Sequence, residues 1–113
     1  FDLIKNNINA SVVGVTESGH PKEWQGPIED DGKMQNFLKI TRLNLSSNIL
    51  PVSYVINGAI YIAPTSTLLK ERTFFPSENL NAFFMSRRDS IDIDTEFDFE
   101  IANYLLSEKH LAP

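Results

Sequence analysis

The chain lacks cysteine and is short of basic residues: its 113 residues include 10 Lys and Arg against 15 Asp and Glu, for a net charge of -5. Without cysteine, disulfides and thiolate chemistry are excluded, and nothing indicates an oxidising compartment. The acidic balance argues against nucleic-acid binding, which normally needs a basic patch. No apolar run approaches the roughly 20 residues of a membrane span. We therefore expect a soluble globular protein, most simply in the cytoplasm, with neither nucleic acid nor membrane as a partner.

Short β-branched and aromatic runs alternate along the chain with segments of helical pattern, which predicts an α/β fold. Gly58 and Ala59 lie in the middle of the strongest predicted strand, where another backbone or a ligand can approach closely. The predicted strands are residues 11–16, 54–63 and 81–85, with 36–43 as a strand or part of a projecting arm; the predicted helices are the first few residues, 65–72 and 96–107.

Residues 89–100 contain six acids and no Lys or Arg. If this stretch is extended, Asp92 and Asp94 project from one face at roughly 7 Å between their Cα atoms, while Ile91 and Ile93 point to the core. A hard, oxygen-preferring cation such as Mg2+ would relieve the repulsion between the carboxylates. The spacing therefore predicts a metal-binding corner at a strand-to-helix junction.

The chemistry of a helix start offers a second explanation of the same acids. Thr95 with Asp98 three residues later resembles a capping box, and acids in the first turn favour the positive end of the helix dipole. This explanation does not account for Asp92. From the residues alone, metal binding and helix initiation both remain open.

Two other motif classes are weaker matches to the acidic stretch. The order Asp92, Asp94 and Thr95 matches the D-x-D-x-T nucleophile signature of haloacid-dehalogenase-like phosphatases, but only 19 residues follow Asp94. We do not expect the rest of that fold, so a phosphatase is a remote possibility. A calcium-binding EF-hand is excluded because no Gly occupies the required loop position.

Three blocks occur in a fixed order: Asn-Gly-Ala-Ile-Tyr-Ile at 57–62, Phe-Phe at 74–75, and Ser-Ile-Asp-Ile-Asp-Thr-Glu-Phe-Asp at 90–98. Together they resemble the C-terminal half of the acylneuraminate cytidylyltransferases, the CMP-sialic acid synthetases and their relatives, from about Ser11 to the end of the final helix. The resemblance implies that residues 1–113 are a portion of a Rossmann-like nucleotidyltransferase domain, three-layer with a mixed sheet. It further implies that residues 22–48 form a projecting dimerisation segment and that the protein is a homodimer.

The resemblance also implies a reaction and its site residues. Family members transfer CMP from CTP to the anomeric hydroxyl of a nine-carbon keto-sugar acid and release pyrophosphate with the help of Mg2+. By position, Asp92 and Asp94 match the metal-binding aspartates. The sugar-contacting positions are matched by Asn57, Tyr61, Phe74 and Phe75. Without the resemblance, core packing would explain the phenylalanines, and strand-end hydrogen bonds would explain Asn57 and Tyr61.

The chain departs from the family pattern in two respects. Where some members carry arginines for the sugar carboxylate, this chain has Ser47 and Val55, and the candidate replacements are Arg42, Arg87 and Arg88. No segment resembles the basic, Gly-containing nucleotide loop of the family's N-terminal half. We therefore expect a sugar- and metal-binding part that is inactive without a CTP-binding half. The alternative is a non-catalytic dimerisation or interaction module derived from the same fold.

Overall fold

The structure is a computed structural model that describes residues 2–37 and 49–111. It confirms an α/β architecture. In chain order the elements are α1 (Asp2–Lys5), β1 (Ser11–Glu17), a 3-10 turn (Lys22–Trp24), β2 (Tyr54–Ile62), α2 (Thr65–Glu71), β3 (Leu80–Phe84) and α3 (Glu96–Leu111). The three strands predicted at 11–16, 54–63 and 81–85 are therefore confirmed to within a residue or two at their ends.

The strands form one three-stranded sheet in the order β2-β1-β3, with β1 in the centre. β1 and β3 run parallel, with Ser11 opposite Leu80 and Val15 opposite Phe84. The amide of Ser18, just after β1, donates to the carbonyl of Ser53, just before β2, at 2.8 Å. The end of β1 therefore lies beside the start of β2, so these two strands run antiparallel and the sheet is mixed.

β1 is the buried strand of the sheet. Val12 and Val13 are 4% and 3% exposed, and Ala10 just before the strand is 2% exposed. A central strand with neighbours on both sides is expected to be rich in β-branched residues, and four of the seven residues of β1 are Val or Thr. The apolar core of the described residues is therefore concentrated at β1.

The two longer helices begin where the local sequence predicts, and α2 also ends there. Pro64 precedes α2, and Arg72 ends it in the left-handed conformation at φ 53°, donating its amide to the Leu68 carbonyl. α3 begins at Glu96 as predicted but continues beyond 107 to Leu111. The apolar side chains of α3 are only partly covered, because Ile101 is half-buried whereas Phe97 is 68% exposed.

The chain divides into two compact units, one comprising Phe1–Thr16 with Ile56–Pro113 and the other Glu17–Val55. The second unit contains the whole segment 22–48 that the resemblance assigns to a dimerisation arm. Residues 36 and 37 lie in a turn, while residues 38–48 lie outside the described part of the chain. The strand at 36–43 and the projecting arm therefore stay predictions.

Among residues 2–37 and 49–111, no helix combines the length and apolar character that crossing a bilayer requires.

Candidate functional site

The segment between β3 and α3 begins with a tight turn built from serine hydroxyls. The Ser86 hydroxyl donates to Asp89 Oδ2 at 3.0 Å, and the Asp89 amide donates back to Ser86 Oγ at 3.1 Å. The Ser90 hydroxyl donates to the Ser86 carbonyl at 2.6 Å. These short-range bonds reverse the chain after β3, and they set the point from which the acidic loop, residues 91–95, departs.

Asp92 and Asp94 lie on this loop with exposed side chains. Within the described residues, no hydrogen bond or ion pair engages either carboxylate, so both are available to a ligand. The expectation that Ile91 and Ile93 point to the core is wrong, since they are 37% and 53% exposed. The loop is irregular rather than strand-paired, so no sheet imposes two alternating faces on it.

The start of α3 immediately follows the acidic loop and is a capping box, as Thr95 and Asp98 predict. The Asp98 amide donates to Thr95 Oγ1 at 3.2 Å, and the Thr95 amide donates to Asp98 Oδ2 at 3.0 Å. Asp98 Oδ2 also accepts from the Thr95 hydroxyl at 2.9 Å and from the Asp94 amide at 3.1 Å. Asp98 therefore holds the backbone of Asp94 as well as the first turn of the helix.

These donors hold the pKa of the Asp98 carboxyl below its ordinary value. The Thr95 hydroxyl has the largest effect, followed by the amides of Asp94 and Thr95. Each donor stabilises the ionised form. Asp98 is thus occupied as an acceptor for the helix start, unlike Asp92 and Asp94.

The Asn57-Gly58 pair brings β2 to the acidic loop. Asn57 is 8% exposed, and its amide nitrogen donates to Ser90 Oγ at 3.0 Å and to Met85 Sδ at 3.2 Å. Gly58 has φ +75°, and a Cβ atom placed on it would lie 3.6 Å from Asp92 Oδ2. The group that approaches the glycine of this strand is therefore the Asp92 carboxylate.

Three of the four predicted sugar-contacting side chains form one aromatic cluster. The Tyr61 ring lies 5.6 Å from the Phe74 ring and 5.9 Å from the Phe75 ring, between centroids. Each of the three side chains is between 40% and 48% exposed, so the cluster presents an open apolar face. Such a face can pack a methyl group, and the tyrosine hydroxyl can hydrogen-bond a polar substituent.

The two phenylalanines are positioned by the end of α2. Arg72 ends the helix in the left-handed conformation, and the Phe75 amide then donates to Thr73 Oγ1 at 3.0 Å. A hydroxyl that accepts a bond from the amide two residues later stabilises a turn. This turn places both rings against Tyr61 of β2.

The capacity of the site for a metal is limited to a pair of carboxylates. No three His, Cys, Asp or Glu side chains come together as metal ligands within the described ranges. Mg2+ commonly takes one or two carboxylates and completes its octahedron with water and substrate phosphates. The donor set of Asp92 and Asp94 fits that mode of binding and does not fit a cation held entirely by protein.

The residues considered for the sugar carboxylate are only partly described. Val55, at one of the positions where some family members have arginine, is 50% exposed on β2. Arg87 and Arg88 lie exposed in the turn after β3. Ser47 and Arg42 lie outside the described residues, so their part in carboxylate recognition stays a prediction.

Sequence reasoning missed the residues that surround Asn57. Gly14 of β1 faces the Asn57 amide, because a Cβ atom at Gly14 would lie 2.7 Å from Asn57 Oδ1. Ser90 and Met85, after β3, accept the two amide protons. A glycine inside a β-branched strand is a recognised signal of close approach, and it was present at Gly14.

Comparison with known proteins finds several relatives, three of which illustrate the match. The chain is 35% identical to N-acylneuraminate cytidylyltransferase of Escherichia coli over 88% of its own length and 23% of the relative. It is 38% identical to CMP-N,N'-diacetyllegionaminic acid synthase of Campylobacter jejuni, over 56% of the chain and 26% of the relative. A protein of the same name from Legionella pneumophila is 28% identical over 85% of the chain and 41% of the relative. No family model matches the chain.

The mixed sheet, the aromatic cluster and the carboxylate pair thus occur in a chain whose relatives are named as a cytidylyltransferase and as synthases of a CMP-linked sugar acid. The chain is related by homology to the acylneuraminate cytidylyltransferase family, which confirms the resemblance that its three blocks indicated. It spans between about a quarter and two fifths of the length of these curated relatives.

Proposed function

We propose that this chain is the sugar- and metal-binding part of an enzyme that activates a nine-carbon keto-sugar acid with CTP. The observation that carries the proposal is the clustering of Tyr61, Phe74 and Phe75, in which the centroid of each phenylalanine ring lies less than 6 Å from that of Tyr61. Tyr61 lies on β2 and the two phenylalanines follow α2, and all three match sugar-contacting positions of the family to which the chain is related. Core packing does not explain the cluster well, since all three rings are at least 40% exposed.

The aromatic cluster would bind the acyl-bearing end of the sugar. An N-acyl methyl group is apolar and small, so it gains contact area against Phe74 and Phe75 without losing a hydrogen bond. The Tyr61 hydroxyl would then donate to or accept from the acyl or hydroxyl oxygens. This division of labour favours sugar acids with an acylated amine over those with a free hydroxyl at that position.

Asp92 and Asp94 would hold Mg2+ against the nucleotide phosphates. When bound, the ion would neutralise phosphate charge and align the triphosphate for transfer. The two carboxylates supply the negative charge that keeps the ion in place, and Asp98 keeps Asp94 at a fixed position through its backbone amide.

In the proposed reaction, the anomeric hydroxyl oxygen forms a bond to the α-phosphorus of CTP. The bond from that phosphorus to the bridging oxygen breaks, pyrophosphate leaves with the bonding electrons, and the hydroxyl proton passes to solvent water. In phosphoryl-type transfer, positioning and charge neutralisation supply most of the rate. The residues of this chain therefore act by holding the sugar and the ion rather than by forming a covalent intermediate.

We further propose that this chain lacks the nucleotide-binding residues. In the family, these residues and the rest of the Rossmann-like domain lie in segments that this chain does not match. We therefore expect the chain alone to have no catalytic activity. The chain spans 23% of its Escherichia coli relative, and nothing in its sequence resembles a phosphate-cradling glycine-rich loop. The segment 22–48 is proposed as the dimerisation arm of the homodimer. A cytoplasmic location remains a prediction.

The activity is tested on the full-length protein that carries this chain. It is incubated with CTP, Mg2+ and a panel of keto-sugar acids, including sialic and legionaminic acids, and pyrophosphate release is measured. We expect release with at least one acylated nine-carbon acid and none when Mg2+ is omitted. No release with any member of the panel would contradict the proposed activity.

A non-catalytic dimerisation module is the second candidate, and the separate compact unit Glu17–Val55 favours it. Sedimentation and CTP binding of the full-length protein separate the two candidates. A dimer that never binds CTP supports the module, whereas CTP binding with sugar-dependent turnover supports the enzyme.

A further inference from the structure

We infer that Asn57 is a positioning residue that fixes the acidic loop through Ser90, rather than a direct contact to the sugar. This inference rests on the proposed function, because it assigns a role within the proposed metal site. The family resemblance places Asn57 among the sugar-contacting residues. The structure gives its side chain a different set of partners.

Both donors of the Asn57 amide and one of the two acceptor positions of its oxygen are already used. A primary amide has two N–H donors, and these point to Ser90 Oγ at 3.0 Å and to Met85 Sδ at 3.2 Å. The Asn57 Oδ1 atom accepts from the Ala59 amide at 3.0 Å. The residue is 8% exposed, so a sugar hydroxyl has little access to the second acceptor position of Oδ1, and it could accept from the amide nitrogen only by displacing Ser90 or Met85.

Gly14 makes room for the side chain to cross the sheet. Asn57 belongs to β2, whereas Ser90 and Met85 follow β3, and β1 lies between these two strands. A Cβ atom at Gly14 of β1 would lie 2.7 Å from Asn57 Oδ1, a distance that real Cβ contacts essentially never show. The asparagine therefore bridges the two outer strands over the one position of β1 that has no side chain.

The bridge ends two residues before the first metal-binding aspartate. The Ser90 hydroxyl accepts from Asn57 and donates to the Ser86 carbonyl at 2.6 Å, so it joins β2 to the turn that starts the acidic loop. The next residue of β2, Gly58, lies against the Asp92 carboxylate, since a Cβ atom there would be 3.6 Å from Asp92 Oδ2. The hydrogen bond from Asn57 to Ser90 therefore fixes the start of the loop close to the point where the Asp92 carboxylate contacts Gly58.

Asp98 fixes the other end of the same loop by accepting the Asp94 amide at 3.1 Å. With Ser90 held at the start and Asp94 at the end, three residues span two anchored points. The positions of both carboxylates then depend on both anchors. Loss of the Asn57–Ser90 anchor is expected to weaken cation binding while leaving the aromatic sugar cluster in place.

The test compares Asn57→Ala with Ser90→Ala in the full-length protein. Ser90→Ala removes the partner but leaves Asn57 intact, and it keeps the inference testable if the buried Asn57→Ala variant does not fold. The control is Ser107→Ala, which removes a hydroxyl that bonds the Asn103 carbonyl within α3 at 2.9 Å. For each protein, Mn2+ binding is followed by its electron paramagnetic resonance signal without turnover. The KM for sugar acid and the Mg2+ concentration for half-maximal pyrophosphate release are measured in parallel.

We expect Ser90→Ala and Asn57→Ala to weaken Mn2+ binding by about tenfold, the lower end of the effect found for partners that orient metal ligands. The Mg2+ concentration for half-maximal release should rise in parallel, and the sugar KM should change less than about twofold. The double variant, Asn57→Ala with Ser90→Ala, should bind Mn2+ no more weakly than the weaker of the two single variants, because both changes remove the same hydrogen bond. Ser107→Ala should behave as the wild type.

The inference is overturned if Asn57→Ala raises the sugar KM with Mn2+ affinity unchanged, or if Ser90→Ala has no effect on Mn2+ affinity. Either result leaves the proposed function standing. If instead the wild type binds no Mn2+ and releases no pyrophosphate, the proposed function fails and this inference fails with it.

Discussion

Two acidic stretches of this chain look alike in sequence and are used differently. The first, residues 29–31, belongs to a tight turn in the compact unit Glu17–Val55. Glu29 Oε1 accepts from both the amide and the side chain of Asn36, at 3.2 and 3.0 Å. Asp31 accepts from the Lys33 amide at 3.1 Å and pairs with its ammonium group at 3.7 Å. This stretch closes a turn with its own neighbours.

In the second stretch, residues 89–100, four of the six acids fall into two groups: those that accept hydrogen bonds from nearby groups and those that do not. Asp89 closes the turn at Ser86, and Asp98 caps α3, so both accept hydrogen bonds from nearby groups. Asp92 and Asp94 have no such partner within the described residues. The difference teaches that an acidic cluster in a sequence is not the signal of a site. Asp30 of the first stretch is also unengaged within the described residues, but it stands alone between Glu29 and Asp31, which close the turn; the candidates are unengaged carboxylates that occur as a pair, as Asp92 and Asp94 do.

Substituting the unengaged carboxylates should have the largest effect. Asp94→Asn in the full-length protein is expected to lower Mg2+-dependent turnover by about a hundredfold or more, equivalent to roughly 3 kcal/mol of transition-state stabilisation. Pyrophosphate release measures it. Asp30→Asn in the first stretch is the matched control and should retain turnover. Normal Mg2+-dependent turnover of Asp94→Asn would remove Asp94 from the site.

The two positive-φ glycines give a matched pair: Gly32 follows the first acidic stretch in sequence, and Gly58 of β2 contacts the second through Asp92. Gly32 has φ +85° with open space around its Cβ position, and Gly58 has φ +75° beside Asp92. Alanine at either position should destabilise the protein by about 1 to 2 kcal/mol because of left-handed backbone strain. Urea unfolding measures this loss. Only Gly58→Ala is expected to weaken Mn2+ binding as well, and equal Mn2+ affinities in the two variants would break the comparison.

Removal of the helix cap should have a smaller effect. Thr95→Ala loses the hydroxyl that accepts from the Asp98 amide, and we expect a loss of about 1 kcal/mol in the free energy of unfolding. Chemical unfolding followed by helical circular dichroism measures it. Ser107→Ala, within the same helix, is the control with little expected change. If both variants unfold alike, the capping box contributes nothing measurable.

The acid titration of Asp98 should show the smallest effect. Because its folded pKa is lowered, Asp98 contributes stability that is fully present above the unfolded pKa of about 3.9 and is lost as pH falls through the folded pKa. Carboxyl chemical shifts from NMR should place the Asp98 midpoint below that value. Thr95→Val, which removes the main donor, should raise it. An unchanged midpoint in Thr95→Val would show that the hydroxyl is not the cause.

Local patterns predicted the elements of this chain well, because each depends on neighbours in sequence. The β-branched run at β1, the capping pair of Thr95 and Asp98, and the helix after Pro64 need only residues within a few positions. The inward orientation of Ile91 and Ile93 was predicted wrongly. An isolated Ile-Asp-Ile-Asp run favours alternation, but no strand pairs with it, so Ile93 is 53% exposed.

The site was predictable in its residue types and only partly in its connections. The motif blocks named Asp92, Asp94, Tyr61, Phe74 and Phe75, and the structure brings the aromatic residues together. Nothing in the sequence pairs Asn57 with Ser90, which lie 33 residues apart. Such a bond depends on the order of the strands in the sheet, and no local sequence pattern predicts that order.

Residue order alone was thus sufficient for the three strands of the described sheet, the helix cap, the excess of carboxylates and the family to which the chain is related. Each follows from side-chain chemistry acting over a few residues, or from matched blocks in a fixed order. Only the tertiary structure decided which acids are free and what holds them. Placing β1 between β2 and β3 lets Asn57 reach Ser90 across Gly14, and that contact between distant residues forms only when the sheet has assembled.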